Sequence, residues 1–116
     1  LYRGAVGRFD VSAVIDRKEV APGEPVLLTL RVTGTGDLER VPPPPLGELE
    51  PVVERFAVSR RLVSVDLSDG AKSFTFRLRP RDGSVSKIPA IPFVSFDPDA
   101  ESFVATETEP IELAVV

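Results

Sequence analysis

Apolar and polar side chains alternate with a period of two over several segments of this chain, and this alternation limits the possible folds more than any other pattern in it. In Ser73–Arg79 the apolar positions are Phe74, Phe76 and Leu78, and the positions between them are Ser, Thr and Arg. Pro25–Thr33 alternates in the same way, as do shorter runs near both ends of the chain. Because successive side chains of a strand point to opposite faces, this pattern predicts half-buried β-strands.

Twelve prolines and eight glycines separate these runs. Asp69-Gly70 lies between two alternating segments and predicts a two-residue hairpin, because Asp-Gly tolerates positive φ at both central positions. Such a turn makes the apolar faces of its two strands coincide. The predicted cross-strand pairs are Ser68 with Ala71, Val65 with Phe74, and Val63 with Phe76.

About seven strands are predicted, at residues 9–16, 25–34, 37–41, 53–58, 60–67 and 72–79, with a final pair at 91–96 and 102–115. Short antiparallel strands separated by frequent turns are typical of a sandwich or a barrel. We therefore predict an all-β, Ig-like antiparallel β-sandwich. Since the chain has no Cys and no Trp, this would be the fibronectin-like kind without a disulfide.

The segment Ser86–Asp99, SKIPAIPFVSFDPD, combines prolines with bulky apolar residues. Pro89 and Pro92 have no N–H to donate to a ladder, so we expect a sheet edge or the bent start of a strand there. Phe93 is then expected to turn into the core. Asp97-Pro98 is expected to begin the turn that reverses the chain.

A chain of 116 residues has the size of one domain and contains no apolar run near the ~20 residues of a membrane span. It opens at Leu1 without a signal peptide, which is typical of a fragment of a larger protein. We predict a linker from a preceding domain at residues 1–8 and a single sandwich domain at residues 9–116.

The absence of His and Cys argues against most kinds of catalysis. It excludes Ser-His-Asp and Cys-His nucleophiles and the usual zinc and copper ligands. The remaining carboxylates lack the aromatic platform of a sugar cleft. We therefore predict no enzyme, no catalytic residue and no cofactor. The net charge of −4 argues against a nucleic-acid partner.

An alternating acidic set, Asp97, Asp99 and Glu101, is a weak candidate for a Ca²⁺ site built from oxygen ligands. The set lacks the glycine and the distant bidentate Glu of an EF-hand loop. We therefore prefer an acidic, solvated turn without a metal.

The charges are spread unevenly along the chain. Residues 97–116 carry six acidic and no basic side chains, whereas residues 55–87 carry eight basic ones. One interpretation is that neighbouring strands carry complementary charges on their solvent faces. The other is a basic patch that docks an acidic partner, and its candidate residues are the outward row Arg77, Arg79 and Arg81.

An ordered set of short motifs resembles a bacterial protein family. The set is similar to the repeated extracytoplasmic domains of the BatD-type oxygen-tolerance (aerotolerance) proteins, over nearly the whole chain. The stretch Val41–Val58 is richer in proline than this resemblance leads us to expect. The matching motifs are Gly-Glu-Pro at 23–25, Gly-x-Gly-x-Leu at 34–38, Leu-x-Pro at 78–80, Gly-x-x-x-x-Ile-Pro-Ala at 83–90, Phe-Asp-Pro at 96–98 and Pro-Ile-x-Leu at 110–113.

The resemblance implies a membrane-anchored protein whose Ig-like domains lie on the periplasmic or extracellular side of the cytoplasmic membrane. It also implies other envelope proteins as partners, among them von Willebrand factor A-domain proteins and a MoxR-type ATPase system. The leading hypothesis is a non-enzymatic protein–protein interaction or scaffold module. One alternative is a cell-surface adhesion or carbohydrate-binding module, which needs exposed aromatic residues; only Tyr2 is expected outside the core. Another is a passive spacer domain.

Overall fold

The computed structural model describes residues 4–116. Within this range the chain is an all-β protein whose strands pair antiparallel except for one two-residue parallel pair, which confirms the predicted fold class. Three short helical segments lie in the crossover between the third and fourth strands: a 3₁₀ turn at Leu38–Arg40, a second at Leu46–Glu48, and α1 at Glu50–Val53. The strands are β1 (Phe9–Ile15), β2 (Glu19–Val20), β3 (Val26–Gly34), β4 (Phe56–Val58), β5 (Ser64–Ser68), β6 (Ala71–Pro80), β7 (Lys87–Ile88), β8 (Pro92–Asp97), β9 (Ser102–Glu107), β10 (Ile111–Glu112) and β11 (Ala114–Val115).

The larger sheet is built around β6. β1 pairs with β3, and β3 pairs with one side of β6. On its other side, β6 pairs with β5 along its first half and with β4 at its C-terminal end. The predicted alternation is confirmed on β6, where Phe74, Phe76 and Leu78 are buried while Arg77 and Arg79 are exposed. The buried residues belong to one hydrophobic core that continues into the facing layer.

The facing layer contains a long hairpin that is interrupted in the middle. Ile88 of β7 pairs with Ile111 of β10, and Pro92 of β8 pairs with Glu107 of β9. The offset between the two arms is the same in both ladders, as in one continuous hairpin. At one end β11 pairs with β2 in parallel. The interruption falls at Pro89 on one arm and Pro110 on the other, since proline cannot donate to a ladder.

Thr108 bridges this interruption. The N–H of Ile91 donates to Thr108 Oγ1 at 2.8 Å, and the N–H of Thr108 donates to the Ile91 carbonyl at 3.0 Å. Thr108 is buried, so its hydroxyl accepts a hydrogen bond from a backbone N–H, that of Ile91, which water does not reach. The prolines therefore divide the hairpin without leaving this amide unpaired.

The expectations for the surrounding segment are met. Pro92 is the first residue of β8, a position that strands allow for proline. Phe93 is buried and its ring makes an edge-to-face contact with Phe9, with 5.8 Å between centroids. The chain turns immediately after Asp97.

Residues 5–8, which the sequence assigns to a linker, pack against the sandwich. Ala5 is buried, the Phe96 N–H donates to the Ala5 carbonyl at 2.9 Å, and the Gly7 N–H donates to the Phe96 carbonyl at 2.8 Å. The approach of this segment depends on Gly36, where a Cβ would collide with the Val6 carbonyl.

The predicted strand at 37–41 is wrong. Asp37 instead caps the first 3₁₀ turn, its carboxylate accepting from the Glu39 N–H at 3.2 Å. The prolines at 42–45 follow and cannot donate to a sheet. The strand predicted at 53–58 is reduced to its last three residues, β4, because α1 ends at Val53 and a turn occupies residues 54 and 55.

The strand predicted at 60–67 begins only at Ser64, because the edge of the sheet contains a bulge. Val58 pairs with Leu78 and Ser64 pairs with Thr75, so six positions on this edge correspond to only three on β6. The Val63 N–H donates to the Thr75 carbonyl at 2.8 Å. The predicted pairs Ser68–Ala71 and Val65–Phe74 are confirmed, whereas the ladder ends before Val63 can pair with Phe76.

We predict that Thr108→Val lowers the free energy of unfolding by about 1–3 kcal/mol, because it leaves the Ile91 N–H buried without an acceptor. Urea unfolding followed by circular dichroism measures the change. Thr106→Val is the matched control two residues earlier on the same arm, since Thr106 Oγ1 is buried with no hydrogen-bond partner among the described residues. A loss in the control as large as that in Thr108→Val would contradict the role assigned to Thr108.

Candidate interaction surfaces

The structure assigns Asp97 a structural role. Its side chain is only 3% exposed and accepts a hydrogen bond from Arg8 Nε at 2.5 Å. Its other oxygen accepts from the N–H groups of Asp99 at 3.0 Å and Ala100 at 3.3 Å. Asp97 therefore fastens the turn between β8 and β9 to the segment that precedes β1.

The surroundings of Asp97 favour its charged form. The hydrogen bond from Arg8 holds the pKa of Asp97 below its usual value, and the Ala100 and Asp99 amides act in the same direction, whereas desolvation opposes them. The same hydrogen bond raises the pKa of Arg8. The pair is thus a stable ion pair near neutral pH, which suits a tether.

The three acidic residues proposed for Ca²⁺ have different environments. Asp97 is engaged by Arg8, whereas Asp99 and Glu101 are exposed in the turn. Within residues 4–116, no group of three or more acidic side chains is placed to hold a metal ion. The arrangement is that of a turn held by one buried carboxylate.

The three arginines proposed for partner binding are all exposed, but they are not equivalent. Arg81 Nε donates to the Val53 carbonyl at 2.6 Å, which fixes the end of β6 to α1. Arg79 makes a long contact of 3.5 Å from Nη1 to the Gly23 carbonyl. Arg77 and Arg79 form no ion pair with any carboxylate of the described chain. The candidate surface is therefore the Arg77–Arg79 pair, and Arg81 is an anchor.

The acidic C-terminal strands do not neutralise this pair. They pair with β8, β7 and β2, while β6 is flanked by β3, β4 and β5. Complementary charges on neighbouring strands do occur at Lys87, which pairs with Glu112. For Arg77 and Arg79 that interpretation is wrong, because the acidic strands lie in a different sheet.

An exposed apolar surface on the β8–β9 hairpin was missed by the sequence reasoning. Phe103 is 62% exposed and contacts Phe96 edge to face, with 5.3 Å between centroids. The expectation that only Tyr2 lies outside the core is therefore wrong for Phe103, and Tyr2 itself lies outside the described residues. Part of the signal was present: Phe93 and Phe96 are three positions apart, so only one of them can face inward from a strand. The register then places Phe103 opposite the outward Phe96.

Comparison with models of known protein families identifies the family of this chain. A family model described as the BatD DUF11-like domain matches residues 13–115. The chain belongs to the BatD family. This places it in a family of aerotolerance-related envelope proteins. No curated protein matches the chain. Among residues 4–116, the BatD domain has no helix of the length and apolarity required to cross a membrane.

We predict that Asp97→Asn lowers the stability of the BatD domain at pH 7 and makes it less sensitive to acid. Since the folded-state pKa of Asp97 lies below its usual value, the contribution of Asp97 to stability is fully present above that usual value and is lost as the pH falls through the folded-state pKa. The melting temperatures of the wild type and the variant should converge between about pH 5 and pH 2. Asp99→Asn, on the exposed neighbour, should keep the pH dependence of the wild-type melting temperature. A constant difference in melting temperature between Asp97→Asn and the wild type across this pH range would contradict the assignment.

Proposed function

We propose that this BatD domain is a non-enzymatic interaction or scaffold module of a membrane-anchored envelope protein concerned with oxygen tolerance. It acts on the periplasmic or extracellular side of the cytoplasmic membrane. Membership of the BatD family supports the cellular setting. The chain supplies no His or Cys for nucleophilic or metal chemistry, and this supports a binding role.

The observation that carries the proposal is the Arg77–Arg79 pair. The two residues are exposed on the same face of β6, a strand that is hydrogen-bonded on both sides. Alternate residues of a strand are separated by about 7 Å. A partner with carboxylates at alternate positions of an extended segment matches that spacing, and each guanidinium can hold a carboxylate through two hydrogen bonds.

The partner is accordingly an acidic surface of another envelope protein. Proteins with a von Willebrand factor A domain, acting with a MoxR-type ATPase system, are the proposed class. A rigid sheet that presents two arginines orients the acidic partner and raises its association rate, in addition to contributing affinity. Such a role would not require the domain to change shape.

Two alternative functions predict different results in a binding experiment. A passive spacer would bind nothing through β6. An adhesion or carbohydrate-binding module gains one supporting observation in the exposed ring of Phe103. Substitution of Phe103 should then abolish binding, while substitution of Arg77 and Arg79 should not.

We predict that the double variant Arg77→Glu/Arg79→Glu reduces capture of the partner from a bacterial membrane extract by about tenfold or more. The domain serves as immobilised bait, and the bound proteins are identified by mass spectrometry. Wild-type capture should weaken as the salt concentration rises, because contacts between exposed charges are screened.

Lys18→Glu is the control, since Lys18 is exposed on the loop between β1 and β2. It changes the net charge in the same direction, by half as much, at a different place. Equal capture by wild type and the double variant at low salt would overturn the proposal. So would an equal loss in the Lys18 control, which would show an effect of net charge alone.

A further inference from the structure

Strands β2 and β11 form a parallel pair at one end of the domain. The Ala114 N–H donates to the Lys18 carbonyl at 2.8 Å, and the Val116 N–H donates to the Val20 carbonyl at 2.9 Å. The pair therefore connects the part of the chain that contains β1 to the part that contains β9 and β10.

Both strands of this pair run away from the opposite end of the domain. β1 and β2 lie on one arm of a hairpin, which turns at residues 21–24 and returns as β3, antiparallel to β1. β9, β10 and β11 lie on one arm of the facing hairpin, after the turn that follows Asp97. Because Arg8, just before β1, binds Asp97, both arms start at the same end of the domain and meet again as the β2–β11 pair at the other end.

These arms run along the longest dimension of the domain. Its principal extents are 47 × 26 × 22 Å, and residues 9–20 reach about 40 Å when extended. An arm of that length fits only the first of these dimensions. Tension between the start of β1 and Val116 therefore pulls β2 and β11 in opposite directions along their own axes.

Tension in this direction shears the β2–β11 pair. The start of one strand and the end of the other lie at opposite ends of a parallel pair, and the ladder hydrogen bonds cross between the strands. These hydrogen bonds then share the load. When both strands are pulled from the same end, the hydrogen bonds break one after another, because each carries the full load in its turn.

Buried side chains add to the resistance against sliding. Val20 and Leu113, one on each arm at this end, are 1% and 3% exposed and belong to the hydrophobic core. The Leu113 N–H also donates to the Ser86 carbonyl at 3.0 Å, which fastens the β11 arm to the chain just before β7. Displacement of β11 would expose this end of the core to water, which is unfavourable.

We propose that this domain bears tension along its long axis and that the β2–β11 pair is its mechanical clamp. β1 pairs with β3 over seven residues, whereas the clamp pairs two residues of each strand. The clamp is therefore the element that yields first when the domain is pulled between the start of β1 and Val116. This function goes beyond binding through Arg77 and Arg79 and is independent of it.

Pulling in two directions tests the clamp without altering its hydrogen bonds. Since the chain has no Cys, pairs of introduced cysteines serve as attachment points for DNA handles, and optical tweezers measure the unfolding force. Asp10→Cys/Val116→Cys pulls on the start of β1 and the end of β11, which shears the clamp. Ala21→Cys/Val116→Cys pulls on β2 and β11 from the same end. All three positions are exposed.

The first cysteine pair should require an unfolding force about twofold higher or more at the same pulling speed, because the barrier to forced unfolding is larger when the hydrogen bonds share the load. Urea unfolding should give the same stability for both cysteine variants, so that the difference in force reports the direction of pulling. Equal unfolding forces in the two directions would overturn the proposal.

A backbone substitution tests one hydrogen bond of the clamp. Ala114→Pro removes the N–H that donates to the Lys18 carbonyl, and Ala114 is exposed, so little side-chain packing changes. Val115→Pro is the matched control, because N–H groups alternate in direction along a strand and that of Val115 points away from β2.

When pulled from residues 10 and 116, Ala114→Pro should unfold at a lower force than Val115→Pro. An equal loss of force in both proline variants would overturn the assignment of the clamp to β2 and β11. The two pulling directions are compared on the unaltered clamp, so that result stands even if a proline variant does not fold.

Discussion

The sandwich depends on β6 being paired along both of its sides. Because β3 binds one side and β4 and β5 bind the other, the backbone of β6 is fixed and its side chains alternate between two environments. Phe74, Phe76 and Leu78 enter the core, while Arg77 and Arg79 face outwards. The same strand thus supplies the centre of the core and the proposed binding surface.

The second constraint is the need to satisfy backbone groups around the prolines. In the facing layer, Pro89 and Pro110 divide a hairpin that keeps one register throughout, and the side chain of Thr108 replaces a carbonyl as the acceptor for Ile91. In the crossover, the prolines at 42–45 prevent a strand and the chain instead forms short helical turns. The described crossover therefore adds no strand to either layer.

The Arg77–Arg79 pair and the exposed apolar face of β5 differ in how far the sequence predicts them. The outward positions of Arg77 and Arg79 follow from alternation alone, because neighbouring side chains in a strand point to opposite faces. The apolar alternation at Val63, Val65 and Leu67 is equally visible, yet it predicts burial. Whether an apolar strand face is covered depends on how far the opposite layer extends, and no local pattern carries that information.

Local residue order was enough to predict the strands with clear alternation, the Asp69-Gly70 hairpin and the family. The remaining features follow from how distant segments pack. Asp97 connects two distant segments because Arg8, 89 positions away, lies beside it, and Phe103 is exposed because it pairs with Phe96, on the face of the β8–β9 hairpin opposite to the buried Phe93. Such outcomes depend on contacts between distant segments, which form only when the two layers come together.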